Sequence, residues 1–146
     1  MNQQFTTREQ IIESVNKLFV YVDEQDWDKL KSEVFDHHVL LDMTSMGSEK
    51  AENMSSGQIC QMWSEAFKGL DAIHHQAGNY IVKVFGDSAE VTAYAIATHY
   101  REKAEKGKIR EFVGSYDLHL SRVKVGWRID KFRYNLKYSC GNLELT

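Results

Sequence analysis

Proline is absent from the 146-residue chain, cysteine occurs only twice, and neither charge sign is in large excess. Without proline, no strand has to forfeit a ladder hydrogen bond, so long strands can run uninterrupted. Cys60 and Cys140 lie too far apart for a C-x-x-C pair and are too few for a disulfide framework, which leaves them as free thiols. No apolar run reaches the roughly 18 residues that a membrane-spanning helix needs. The opening MNQQFTTREQ has no apolar signal-peptide core, so a soluble, cytoplasmic protein with no membrane partner is expected. Lysine and arginine total 18 against 21 acidic residues, for a formal charge of -3 and a pI near 6.1. That balance offers no general attraction for nucleic acid. No composition shift, repeat or low-complexity tail divides the chain, and a single domain over residues 1–146 is expected, large enough to bury a core unaided.

What is present is ordered periodicity. TTREQIIESVNKLFVYVDEQDWDKLKSEVF opens on a threonine cap and carries Ile11, Ile12, Val15, Leu18, Phe19 and Val22 at mostly helical spacing. It predicts a helix to about Asp23, a break, and a second helix from about Asp26. After FDHH, VLLDM predicts a short strand; GSEKAENMSSG reads as a polar loop. SSGQICQMWSEAFKGL predicts a third helix, with Ile59, Met62, Trp63, Phe67 and Leu70 as its apolar contacts. From residue 73 the period changes to two. Strands are expected over 73–85, 89–101, 109–124 and 127–138, with a tight turn at Gly86–Asp87 and a charged, solvated one at 102–108. Helices followed by an antiparallel meander predict an α+β fold in which a curved sheet wraps a helical layer.

Alternation then sorts side chains by face. His74 and His75 point to opposite sides of their strand, so at most one of them shares a given pocket. On the next strand Val91, Ala93, Ala95, Ala97 and His99 share a face, and its run of alanines leaves room either for a closely packed helix or for a cavity. On the following strand Val113, Ser115, Asp117 and His119 lie together, opposite Phe112, Gly114, Tyr116, Leu118 and Leu120. Ser115 or Asp117 is thereby expected to approach His99, the alternative for Asp117 being solvent. Tyr21, Trp27, Trp63, Phe67 and Tyr80 fit either a cavity wall or an ordinary core. Neither HExxH nor a compact Cys/His cluster is present. The adjacent His37 and His38, like a three-ligand set of His75, His99 and Asp117, are weaker readings than a site without metal.

VDEQDWDKL (22–30), LLDM (40–43), IHHQ (73–76), THY (98–100), SYDLHL (115–120) and the later GWRIDKF together resemble the SnoaL-like branch of the NTF2-like superfamily, and in function scytalone dehydratase and related dehydratases. The resemblance implies a cone of three helices against a strongly curved, mostly antiparallel sheet, enclosing an apolar pocket. It implies that Asp23 orients His75, that His99 is a second pocket histidine, and that Ser115 and Asp117 bind substrate, Asp117 standing where the family has asparagine. Val22 and Met43 stand where the family has two tyrosines. Tyr21 points about 100° away along its helix, and Asp42 is a further source of polarity. The expected catalytic set is Asp23, His75 and His99; the expected substrate-binding set is Tyr21, Asp42, Met43, Trp63, Ala95, Ala97, Ser115 and Asp117.

The resulting expectation is a cofactor-independent lyase, with no metal, acting on a small hydrophobic or aromatic molecule that carries oxygen groups. Its alternatives are a noncatalytic ligand-binding or protein-interaction domain, and a ketosteroid-isomerase-like enzyme with Asp42 as base and Leu18 near the expected tyrosine position. An epoxide-hydrolase-like pattern is further off, since Ala97 and His99 stand where an Arg-x-Asp pair would be. The resemblance also implies a homodimer, with Tyr94, Ile96, Tyr116, Leu118 and Leu120 as its contact surface.

Overall fold

The computed structural model describes residues 4–146. Helix α1 (Thr7–Asp23) starts at a capping box in which the Thr6 hydroxyl accepts from Glu9 N at 3.1 Å and the Glu9 carboxylate accepts from Thr6 N at 2.8 Å. Two otherwise orphaned amides are satisfied in this way. Ile11, Val15, Leu18, Phe19 and Val22 form its buried stripe. After a break at Gln25, which has a positive φ of 54°, α2 (Trp27–Lys29) is capped by Asp26 and runs into a π-helical turn, Leu30–Val34. Strand β1 (Phe35–Asp42) begins earlier than VLLDM suggests, and the expected polar loop contains a short strand, β2 (Glu52–Ser55). A second capping box, Ser55 with Gln58, starts α3 (Ser56–Ala66). Ile59 and Cys60 are buried there, whereas Met62, expected among the apolar contacts, points to solvent.

Four long strands follow, β3 (Ala72–Phe85), β4 (Ser88–Tyr100), β5 (Ile109–Val123) and β6 (Gly126–Gly141). The sheet order is β2-β1-β6-β5-β4-β3, antiparallel throughout except for β1 against β6. Pairing irregularities at Gly78/Ile81, Val113/Gly114 and His119/Leu120 bend the strands, because an extra residue on one strand increases local twist and bend. The result is three helices on a curved sheet.

The inner face of β4 is Ala89, Val91, Ala93, Ala95, Ala97 and His99, all buried. On β5 the inner residues are Gly114, Tyr116, Leu118 and Leu120, and on β6 they are Trp127, Ile129, Phe132 and Tyr134. Three of the five residues expected to form a dimer surface, Tyr116, Leu118 and Leu120, therefore belong to the core. Only Tyr94 and Ile96 of that set face outward. Ile11, Val15, Leu30, Val34, Leu120 and Ile129 close one end of the cone without exposed surface. At the other end the packing opens into a cavity.

Candidate active site

The cavity, about 360 Å³, lies between the second half of α1, the end of α3 and the inner faces of β3 to β6. Its wall is largely aromatic, with Phe19, Trp63, Phe67, Phe112, Tyr116, Phe132 and Tyr134 contributing rings. Tyr116 sits at the centre of an edge-packed cluster, with ring centroids 5.1 Å from Phe19, 5.3 Å from Phe132 and 4.9 Å from Tyr134. Ala97 leaves the space that a larger inward residue on β4 would fill.

Asp23, the last residue of α1, meets β3 at His75. One carboxylate oxygen accepts the His75 backbone N–H at 2.9 Å, and the other lies 2.6 Å from Nδ1. This two-point clamp fixes both the strand and the ring. An ionised carboxylate only accepts, so Nδ1 carries the proton and Nε2 is left with its lone pair. His75 lines the cavity beside the Phe19 ring, 5.5 Å away. His74 faces outward and pairs with Gln76 at 3.3 Å.

His99 lies diagonally across from His75, since Ile73 is its register partner and Ala97 is that of His75. Its ring is wedged between Phe67 and Phe112, with centroids 5.4 and 5.5 Å away. Nδ1 accepts a hydrogen bond from Arg110 Nε at 3.0 Å. Burial first, then the Arg110 charge, pushes the His99 pKa down to about 4, because both disfavour the imidazolium.

The phenols complete the polar set. Burial holds the hydroxyls of Tyr116 and Tyr134 above the ordinary tyrosine range, and for Tyr116 the neighbouring Tyr134 and Asp23 add to the effect. The Tyr134 hydroxyl is buried with no hydrogen-bond partner among the described residues. Gly114 makes room for it, since a Cβ there would stand 2.8 Å from the Tyr134 hydroxyl and 2.2 Å from Asn135 O.

Of the expected residues, the structure brings His75, His99, Met43, Trp63 and Ala97 to the cavity, with Asp23 behind His75. Ala95 packs in the core below it. Ser115 and Asp117 do not approach His99. They are on the outer face, where Asn135 Nδ2 donates to Ser115 Oγ at 3.3 Å and to Asp117 at 2.9 Å, and Thr92 Oγ1 donates to Asp117 at 3.2 Å. The physical reason is strand phase: Tyr116 and Leu118 take the inside, and alternation sends their neighbours out. The three-ligand metal set loses Asp117 for the same reason, and no metal-binding cluster of three such groups occurs among the described residues.

Tyr21 also lies off the cavity, donating to Glu33 at 3.3 Å with Lys29 over its ring. Asp42 is turned away from the core because Leu41 points inward. Thr44 donates to it from N and Oγ1, which lowers its pKa, and Arg133 Nε is 3.7 Å off. The ketosteroid-isomerase-like alternative therefore loses its base.

Arg110, Phe112, Tyr116 and Tyr134 reach the cavity without having been expected there. The charged 102–108 turn is solvated as expected, but Arg110 just beyond it is turned inward and anchored through Nη1 to Leu143 O at 2.9 Å. Extending the Phe112–Gly114–Tyr116 face back by one step would have reached it.

A family model described as a SnoaL-like domain matches residues 3–133. Among solved structures, the Kfla4162 protein of Kribbella flavida superposes with a TM-score of 0.89 at 23% identity, over 95% of each chain. A candidate scytalone dehydratase from Novosphingobium aromaticivorans gives a TM-score of 0.78 at 11% identity, covering 91% of this chain and 85% of that one. The hexachlorocyclohexane dehydrochlorinase LinA-type3 from Novosphingobium barchaimii gives 0.76 at 12%, covering 93% and 90%. NTF2-like proteins from Streptomyces avermitilis and Salmonella enterica share the fold. No curated protein matches the chain significantly in sequence.

Proposed function

The chain belongs to the SnoaL-like domain family, and from that premise we propose that it is a cofactor-independent, dehydratase-like lyase acting on a small hydrophobic hydroxyketone. The observation that carries this reading is the 2.6 Å Asp23–His75 pair at the wall of an aromatic cavity. Structural relatives named as a candidate dehydratase and a dehydrochlorinase support an elimination.

His75 Nε2 takes a proton from the carbon next to the substrate carbonyl. The electrons of that C–H bond form the new carbon–carbon double bond as the adjacent C–O bond breaks. The imidazolium, stabilised by Asp23, then gives the proton to the departing hydroxyl, which leaves as water. One residue serves as base and then acid because the Nε2 lone pair that takes up the proton becomes the N–H that returns it. His99 holds the carbonyl oxygen as negative charge develops there. The aromatic walls bind the apolar body and exclude water.

A panel of aromatic β-hydroxyketones, followed by the absorbance of the conjugated enone, tests the reading. Turnover abolished in His75→Gln is the expected result. Tight binding without turnover across the panel would instead favour a noncatalytic ligand carrier, a reading that the predominantly apolar wall supports.

A further inference from the structure

We infer that Arg110 acts through His99, fixing it as a neutral imidazole with its proton on Nε2, so that this end of the cavity is a hydrogen-bond donor pole for an acceptor oxygen of the ligand. The inference rests on reading the cavity as a ligand site and gives that site a direction.

A guanidinium has five N–H donors and no acceptor. At 3.0 Å from Arg110 Nε, the Nδ1 of His99 can only be accepting, so the neutral ring must carry its hydrogen on Nε2. Protonating Nδ1 would set one N–H against another beside a full positive charge. The groups facing His99 are Arg110 from β5, His75 from β3 and Asp23 from α1, with the Phe67 ring from α3 packed edge-on. Arg110 and His75 oppose protonation, and only Asp23 favours it. His99 is 7% exposed, so water cannot offset the charge, and it stays neutral below the usual histidine range.

Arg110 is itself held in place by Leu143 O and by the Phe112 face, 5.8 Å from its guanidinium carbon. Tyr134 also lines the cavity, with its hydroxyl covered and packed against Gly114. The two imidazoles thus have opposite polarity: His75 offers a lone pair on Nε2, and His99 offers an N–H. A carbonyl or other electron-rich oxygen fits at His99, with an acidic C–H toward His75; an ammonium or another strong donor does not.

The test is histidine-selective 15N labelling of the full chain, with tautomers read from two-bond 15N–1H couplings in the wild type, Arg110→Met and Arg110→Lys. In the wild type His99 is expected wholly as Nε2–H, and still neutral at about pH 5. Arg110→Met should give a mixture of tautomers and an upward shift of the His99 midpoint, and Arg110→Lys should restore much of the Nε2–H population. A wild-type Nδ1–H at His99, or an Arg110→Met spectrum unchanged for His99 in a folded protein, would overturn the inference. The same spectra report His75. Loss of its expected Nδ1–H would remove the base from the proposed lyase while leaving the donor pole standing.

Discussion

Replacing Asp23 by asparagine keeps the outline of the side chain but exchanges a pure acceptor for a group that also donates. The amide can then hydrogen-bond to Nδ1 of His75 and drive the ring proton to Nε2, which removes the base from the cavity. Turnover of a confirmed substrate should fall roughly 10²–10⁴-fold, with about 1–3 kcal/mol lost in urea unfolding as the charge-assisted bonds disappear. His99 makes a separate prediction through pH. Its pKa is about 4 in the fold against 6.5 ordinarily, so on acidification the unfolded chain takes up this proton first. Stability therefore falls between about pH 6.5 and pH 4, by at most about 3 kcal/mol. Unfolding midpoints measured across that window should flatten in His99→Gln; an equally steep dependence would assign the effect to other groups.

On the strands, two positions separate packing from function. Gly114→Ala places a methyl 2.2 Å from Asn135 O, and since the obstacle is backbone on the paired strand, at least about 2 kcal/mol of thermal stability should be lost. Ala97→Leu builds into the cavity instead, and should weaken binding of an aromatic ligand about tenfold or more while leaving the melting temperature near that of the wild type. The alanine stripe of β4, and the cavity it implies, were legible from the sequence because small residues on one face of a strand leave space whatever packs opposite. Both faces of β5 were legible as well, but the polar one was read as an approach to His99, with solvent as the alternative for Asp117. The even-numbered face, with Tyr116, Leu118 and Leu120, carries far more apolar area, and burial of that area decides the phase. The Arg110–His99 bond was hidden for a different reason: it depends on the register of β4 against β5, set by the geometry of the 101–108 connection. The alternating pattern along either strand does not contain that register.

For the whole molecule, the same alternation that fills the cavity places an apolar row on the opposite side of the sheet. Ile96, Val113 and Tyr138 are successive register partners across β4, β5 and β6, with Tyr94 one step along. Tyr94 is 48% exposed, Ile96 43% and Tyr138 58%, and Lys137 lies over the Tyr94 ring. We propose that this face joins two copies of the chain. About a two-fold axis the same patch serves both copies, residue i of one meeting residue j of the other and the reverse, which is the arrangement that closes a dimer. Sedimentation velocity should then show a dimer at micromolar concentration. Ile96→Lys should shift it to monomer by burying an unpaired ammonium in the apolar contact, while histidine NMR of the cavity stays unchanged, because residue 96 points away from the side on which Ala97 and His99 lie. A wild-type monomer over a broad concentration range would end the proposal. A monomeric variant with altered His75 or His99 signals would show instead that the two faces of the sheet are coupled, and that assembly helps to shape the cavity.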